Sequence, residues 1–213
     1  AVAGGKVWFW PVEFNPEGWK YVLQRTSFLN SMGNSVIITL LGTVLNVAVT
    51  TMMAYPLSRH DFAARRPITM LTAFTMLFSG GMIPTFLVVK NLGLIDTVWS
   101  LVLPGLVSPW NMFIMKNYFQ TSIPTELYEA ASIDGADNFH LLRSVVLPLS
   151  APIVAVMVLY YGVAHWNSYF NALLYLRDRT RYPLQLVLRS FFSAFFLVWW
   201  VRSASIETGR PLW

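Results

Sequence analysis

Four stretches of this chain carry no Asp, Glu, Lys or Arg over a length able to cross the hydrocarbon core of a bilayer, which takes about 20 residues. They cover 35–57, 67–89, 97–115 and 152–176. In hydrocarbon every backbone N–H and C=O must find a partner within the protein, so runs of this kind are expected to be helices. Two of them are interrupted, the second by Gly80-Gly81 and Pro84, the third by Pro104-Gly105 and Pro109. Such breaks are tolerated only against other protein or a water-lined cavity. The pattern therefore predicts a packed, all-α, polytopic helix bundle and not isolated anchors.

Composition agrees with a membrane setting. The chain is 55% hydrophobic and 12% charged, where soluble domains average roughly 25% charged. Without cysteine, neither a disulfide framework nor a thiolate metal site can form. The net charge of +5 fits Lys and Arg at span ends. No basic cluster interleaved with exposed aromatics marks a nucleic-acid surface. Arg59, His60, Arg65 and Arg66 make the first connection basic, which argues that it is cytoplasmic. Alternation then places 90–96 outside, the 116–148 connection inside and Arg177, Arg179 and Arg181 outside. That last placement opposes the positive-inside tendency. On the same reading, 1–34 is extracytoplasmic, with Trp8, Trp10 and Trp19 as interfacial aromatics.

The 116–148 connection has an ordered polar pattern that charge alone does not require. It reads as a short helix, a tight turn and a second short helix. Ser122 is placed to cap the first helix, with Pro124 in its opening turn. Glu126 and Glu129, three apart, share a face near the positive end of the helix dipole. Asp134-Gly135 is a turn signal in which Gly supplies a positive φ. Asp137 is placed to cap the second helix, where Phe139, Leu142 and Val146 recur at helical spacing before Pro148 ends it.

That segment resembles the cytoplasmic coupling loop of ABC-importer permeases. The family pattern is Glu-Ala-Ala, three residues, Gly, nine residues, Ile, one residue, Leu-Pro. Here it reads Glu129-Ala130-Ala131, Gly135, Val145 in the Ile place, and Leu147-Pro148. The fuller run 129–136 is similar to the carbohydrate branch, as are 83–86, 91–97 and 103–105. The resemblance covers about 4–189 and decides the orientation, because a coupling loop faces the cytoplasm. It implies a type I ABC importer permease fold in a bacterial cytoplasmic membrane. The implied partners are ABC ATPase subunits, a second permease subunit, an extracytoplasmic substrate-binding protein and the lipid bilayer.

The site residues follow from the same resemblance. Glu129, Ala130, Ala131, Asp134, Gly135, Leu147 and Pro148 are expected to couple the permease to its ATPase. Glu129 would meet a basic group there, while the two alanines allow close packing. Similar permeases usually have six spans, and the expectation is that this chain lacks the first and last of them, with only a partial apolar segment at 190–201.

Catalytic chemistry has no candidate. The chain has no phosphate-binding Gly-Lys-Ser/Thr loop, no His-Glu-x-x-His pair and no Gly-x-Ser-x-Gly elbow. His60, His140 and His165 are too scattered to suggest a metal set. The expectation is a non-catalytic transport subunit without cofactor or metal. A possible substrate path runs through Trp166, Asn167 and Asn171. Amides bond sugar hydroxyls, and Asn167 and Asn171, four apart, would share one helix face. Interhelical hydrogen bonding is the competing role for the same amides. Import of another small solute is the alternative function. An ion-coupled secondary transporter is more remote, since it needs ionisable residues inside spans and these runs offer only His165.

Overall fold

A computed structural model describes residues 26–190 other than 134, together with 192, 193 and 196. Every regular element among the described residues is a helix or a helical turn. The first, α1 (Thr26–Ser58), has 33 residues and so extends about 50 Å. Its first residues, 26–34, were expected in the extracytoplasmic segment, whose remainder, 1–25, lies outside the described residues. Pro56 lies in the last turn, and the helix closes with Ser58 Oγ donating to Tyr55 O at 2.7 Å.

The second apolar run is not one helix. It forms α2 (Arg65–Leu77) and α3 (Met82–Asn91), bent by 114°. The break follows from Gly81, whose φ of 83° is a conformation that L side chains rarely adopt. The third run is also divided. It comprises α4 (Trp99–Val102), a 3₁₀ turn (Leu103–Gly105) and α5 (Pro109–Ser122). Helix α5 therefore enters the expected connection, and Ser122 ends it instead of capping the helix that follows.

That next helix is α6 (Thr125–Ile133), followed by α7 (Asn138–Leu149), α8 (Ala151–Trp166) and α9 (Tyr169–Tyr175). Helix α7 contains a π-turn at Leu142–Val146. Pro148 explains it: lacking an N–H and crowding the carbonyl four residues back, proline favours a widened turn there. The helix nonetheless continues through Pro148 and bends by 84° into α8. After a second 3₁₀ turn (Arg179–Arg181), residues 184–190 are helical. Beyond them, most of 190–201 lies outside the described residues.

Two buried clusters pack on the two ends of α1. Toward its C-terminal end, Ala54, Tyr55 and Leu57 meet Met112 and Phe119 of α5, Leu142 and Val146 of α7, and Met157 of α8. Toward its N-terminal end, Ile38 joins Val89, Leu101, Tyr175 and Leu186. Between them α1 lies directly against α8, where a β-carbon at Gly42 would come within 2.5 Å of His165 Nε2. Tyr161 locks the same pair: its hydroxyl shares a 2.7 Å hydrogen bond with Thr50 and accepts the Ser108 N–H at 3.1 Å.

The near-contact at Gly42 gives a direct test. Gly42→Ala should force the His165 ring out of its place and separate α1 from α8, at a cost of ~1–3 kcal/mol. Thermal unfolding in detergent should report the loss, and His165→Ala in the same background should restore part of it.

Candidate functional site

Helix α6 stands out from the bundle because only one of its sides is covered. Tyr128 and Ala131, three apart, pack partly buried against the cluster at the C-terminal end of α1. Glu126, Glu129 and Ala130 are exposed, and Ile133 is 86% exposed. Neither glutamate forms an ion pair among the described residues. Across the turn, Phe139 is 64% exposed, although its spacing from Leu142 and Val146 predicts a shared buried face. The π-turn turns it outward, and Leu141, 3% exposed, takes the inner position.

The spacing of Glu129-Ala130-Ala131 to Gly135 is the geometry of a helix end. Gly135 has φ 72°, and the Ala136 N–H donates to Ala131 O at 2.9 Å. A left-handed residue followed by this six-to-one hydrogen bond is a Schellman cap, with Gly135 at C′ and Ala131 at C3. The second alanine of the motif thus supplies the carbonyl that closes the helix. Asp134 lies outside the described residues. Asp137 precedes α7 as expected, yet its side chain makes no capping hydrogen bond. Leu147 is half-buried in the core margin, while Pro148 is exposed.

Arg59 holds α6 to α1. Its guanidinium lies over the Tyr128 ring, 4.7 Å from the centroid, a favourable cation–π arrangement. The same group donates from Nε to Asp61 Oδ1 at 2.9 Å and from Nη2 to Oδ2 at 2.7 Å. Burial pushes the Tyr128 phenol up. The paired guanidinium holds the Asp61 carboxyl below its ordinary range. Gln120 at the end of α5 adds a 3.3 Å bond to Ser58 O. These groups and Glu129 surround a cleft of ≈ 250 Å³ between α6 and the turn after α1.

The second group of expected site residues does not come together. Helix α8 ends at Trp166, and Asn167 and Ser168 break it before α9. Asn167 and Asn171 consequently lie on different helices and share no face. The Asn167 amide is taken up locally, donating to Val163 O at 2.9 Å. Asn171 is exposed, and Trp166 is half-buried. The break falls at Asn167 and Ser168, between α8 and α9, which spacing by fours cannot register.

Sequence reasoning missed the clamp. Arg59 entered only as a loop charge, and Tyr128 not at all. The three-residue interval between Tyr128 and Ala131, opposite the glutamates, was the available signal.

Residues 46–198 match the family described as binding-protein-dependent transport system inner membrane component. Over 179 residues the chain is 48% identical to Protein LplC of Bacillus subtilis, covering 84% of this chain and 60% of that protein. It is 45% identical, again over 84% of the chain, to the polygalacturonan/rhamnogalacturonan transport system permease protein YtcP of the same organism, of which it covers 62%. The chain thus spans about three fifths of the length of these relatives. Among solved structures, a bacterial ABC transporter involved in the import of the acidic polysaccharide alginate superposes with a TM-score of 0.86. The identity is 35%, over 89% of this chain and 68% of that one.

The clamp sets a pH dependence. A carboxyl lowered by folding contributes stability above its ordinary value, about 3.9, and loses it as pH falls through the still lower folded value. The protection of the α6 amides, taken as the intrinsic exchange rate divided by the observed one, should therefore stay constant from neutral pH and fall only below about pH 4. Asp61→Asn should abolish that acid-induced step.

Proposed function

The chain belongs to the family of binding-protein-dependent transport system inner membrane components, and from that premise we propose that it is the permease subunit of an ATP-driven carbohydrate importer. In this reading it crosses a bacterial cytoplasmic membrane several times and performs no catalysis itself. A second permease subunit, ATPase subunits and an extracytoplasmic substrate-binding protein complete the machine. The names of YtcP and of the alginate importer support carbohydrate as the cargo.

The observation that carries the reading is a helix fixed from below and bare above. Helix α6 is capped by Gly135 and clamped through Tyr128 to Arg59, yet its glutamates and Ile133 face outward without partners among the described residues. An isolated surface helix does not need such anchoring; one that receives a push does. Force applied to α6 passes through the Tyr128–Arg59 stack to the end of α1, and through α7 and the 84° bend to α8. ATPase closure would in this way re-aim the helices that flank the path. Positions 62 and 140 are then cytoplasmic, and position 93 lies outside.

Gly135→Val tests the coupling. Among the described residues, and leaving aside its chain neighbours, nothing lies within 4 Å of a β-carbon at Gly135, so the cost is backbone strain, ~1–3 kcal/mol. The variant should reach the membrane with its partner permease but co-purify with little ATPase. Substrate-stimulated ATP hydrolysis should fall more than basal hydrolysis. A variant complex that retains its ATPase and full stimulation would falsify the docking role.

Asn171→Ala separates the two roles of the α9 amide. Weakened transport affinity with intact assembly would place it on the substrate path. Reduced complex yield with unchanged affinity would make it a helix-packing residue.

A further inference from the structure

Beside the clamp, two hollows of ≈ 530 and ≈ 460 Å³ share Met52, Phe139 and Leu142 as common walls, and the first shares Arg59 and Asp61 with the α6 cleft. The first is polar at its far side, where Tyr55, Arg59, Asp61 and Asn138 line it. The second is apolar, running along α1 past Val47 and Val44 to Leu40 and bounded by Val158 of α8. Its walls are open: Leu40 is 63%, Val44 66% and Met52 62% exposed. From Leu40 to Met52 the groove follows about 18 Å of helix. That is slightly more than half of a hydrocarbon core about 30 Å thick, the depth of one leaflet.

We infer that this continuous groove binds an anionic phospholipid of the cytoplasmic leaflet, with one acyl chain along α1 and the headgroup at the arginine-bearing turn that follows it. Charge and polarity argue for that occupant over any other amphiphile. The turn carries Arg59, Arg65 and Arg66 against a single Asp61, and clustered basic residues at the cytoplasmic end of a span attract anionic headgroups. Neither Arg65 nor Arg66 forms an ion pair among the described residues. Deeper in the same pocket, the buried Arg59 Nη1 and Tyr55 Oη face each other and interact, so the headgroup site rests on the charge of the basic cluster and not on a vacant donor. A lipid here would touch Phe139 and Leu142 at the start of α7 and so sit between the coupling segment and the bilayer.

The inference rests on the orientation proposed above. Thiol labelling at 62 and 140 reads that orientation separately, because the chain has no native cysteine. The site itself is tested by native mass spectrometry of the full chain released from mixed phosphatidylethanolamine–phosphatidylglycerol bilayers. Phosphatidylglycerol should be retained preferentially. Arg65→Gln/Arg66→Gln, a half-buried and an exposed position outside the buried clusters, should weaken that retention by about tenfold or more. Val44→Trp should fill the groove and displace the lipid while the arginines remain. Equal retention of both lipids by the unaltered chain, or retention indifferent to Val44→Trp, would overturn the assignment. So would a photo-crosslinker at position 44 that captures polypeptide and not lipid, since the groove would then be a helix-packing surface.

Discussion

The constraint behind this architecture is the need to satisfy backbone polar groups where water is scarce. Helices meet it along their length, and the structure shows what happens where they stop. At the 3₁₀ turn after α4, Asn46 of α1 donates to Gly105 O at 3.1 Å. At the turn after α9, Asn34 donates to Thr180 O at 2.7 Å, and Ser35 Oγ accepts the Leu184 N–H at 2.7 Å. Helix α1 is thus both the centre of packing and the supplier of hydrogen bonds to breaks far away in sequence. Asp96 does the same just before α4. Held at φ 62°, it accepts the N–H groups of Arg177 and Asp178 at 3.0 and 3.1 Å. These bonds hold its carboxyl below the usual range. Arg181, which donates to the Asp96 carbonyl, thereby has a structural role of its own.

Much of this was legible in the sequence. Charge-free runs located the apolar helices, and the offsets of Glu129, Ala131 and Gly135 located a helix, its end and the positive φ that the backbone adopts. What could not be read was how far each break would bend the chain. Gly80-Gly81 marked an interruption, but whether a glycine pair bends a helix slightly or by 114° depends on what packs around it. The shared helix face expected for Asn167 and Asn171 is missing for a related reason. Spacing by fours presumes an unbroken helix, and the break at Asn167 and Ser168 removed that premise. Arg59 and Tyr128 are 69 positions apart, so no local pattern joins them.

The polar residues of α1 also change meaning between the two levels. In the sequence, Ser35, Asn46 and Thr50 are uncharged polar residues within the first apolar run and Asn34 directly precedes it. In the fold each reaches a named partner on a different element. Buried polar groups stabilise when paired and cost about 1–3 kcal/mol when stranded. They therefore select one arrangement of helices from the many that apolar packing alone would permit.

The π-turn in α7 bears on how direction is set. A π-turn is an ordinary helix with one residue wound in, and each residue of an α-helix advances the azimuth by about 100°. The stretch from Gly135 to Pro148 therefore works as a gauge of length. Shortening it by one residue would swing α6 by roughly a quarter of a circle relative to α8, even with its cap and anchor residues untouched. The compass bearing of Glu129 thus depends on the count of residues as well as on the contacts that hold them.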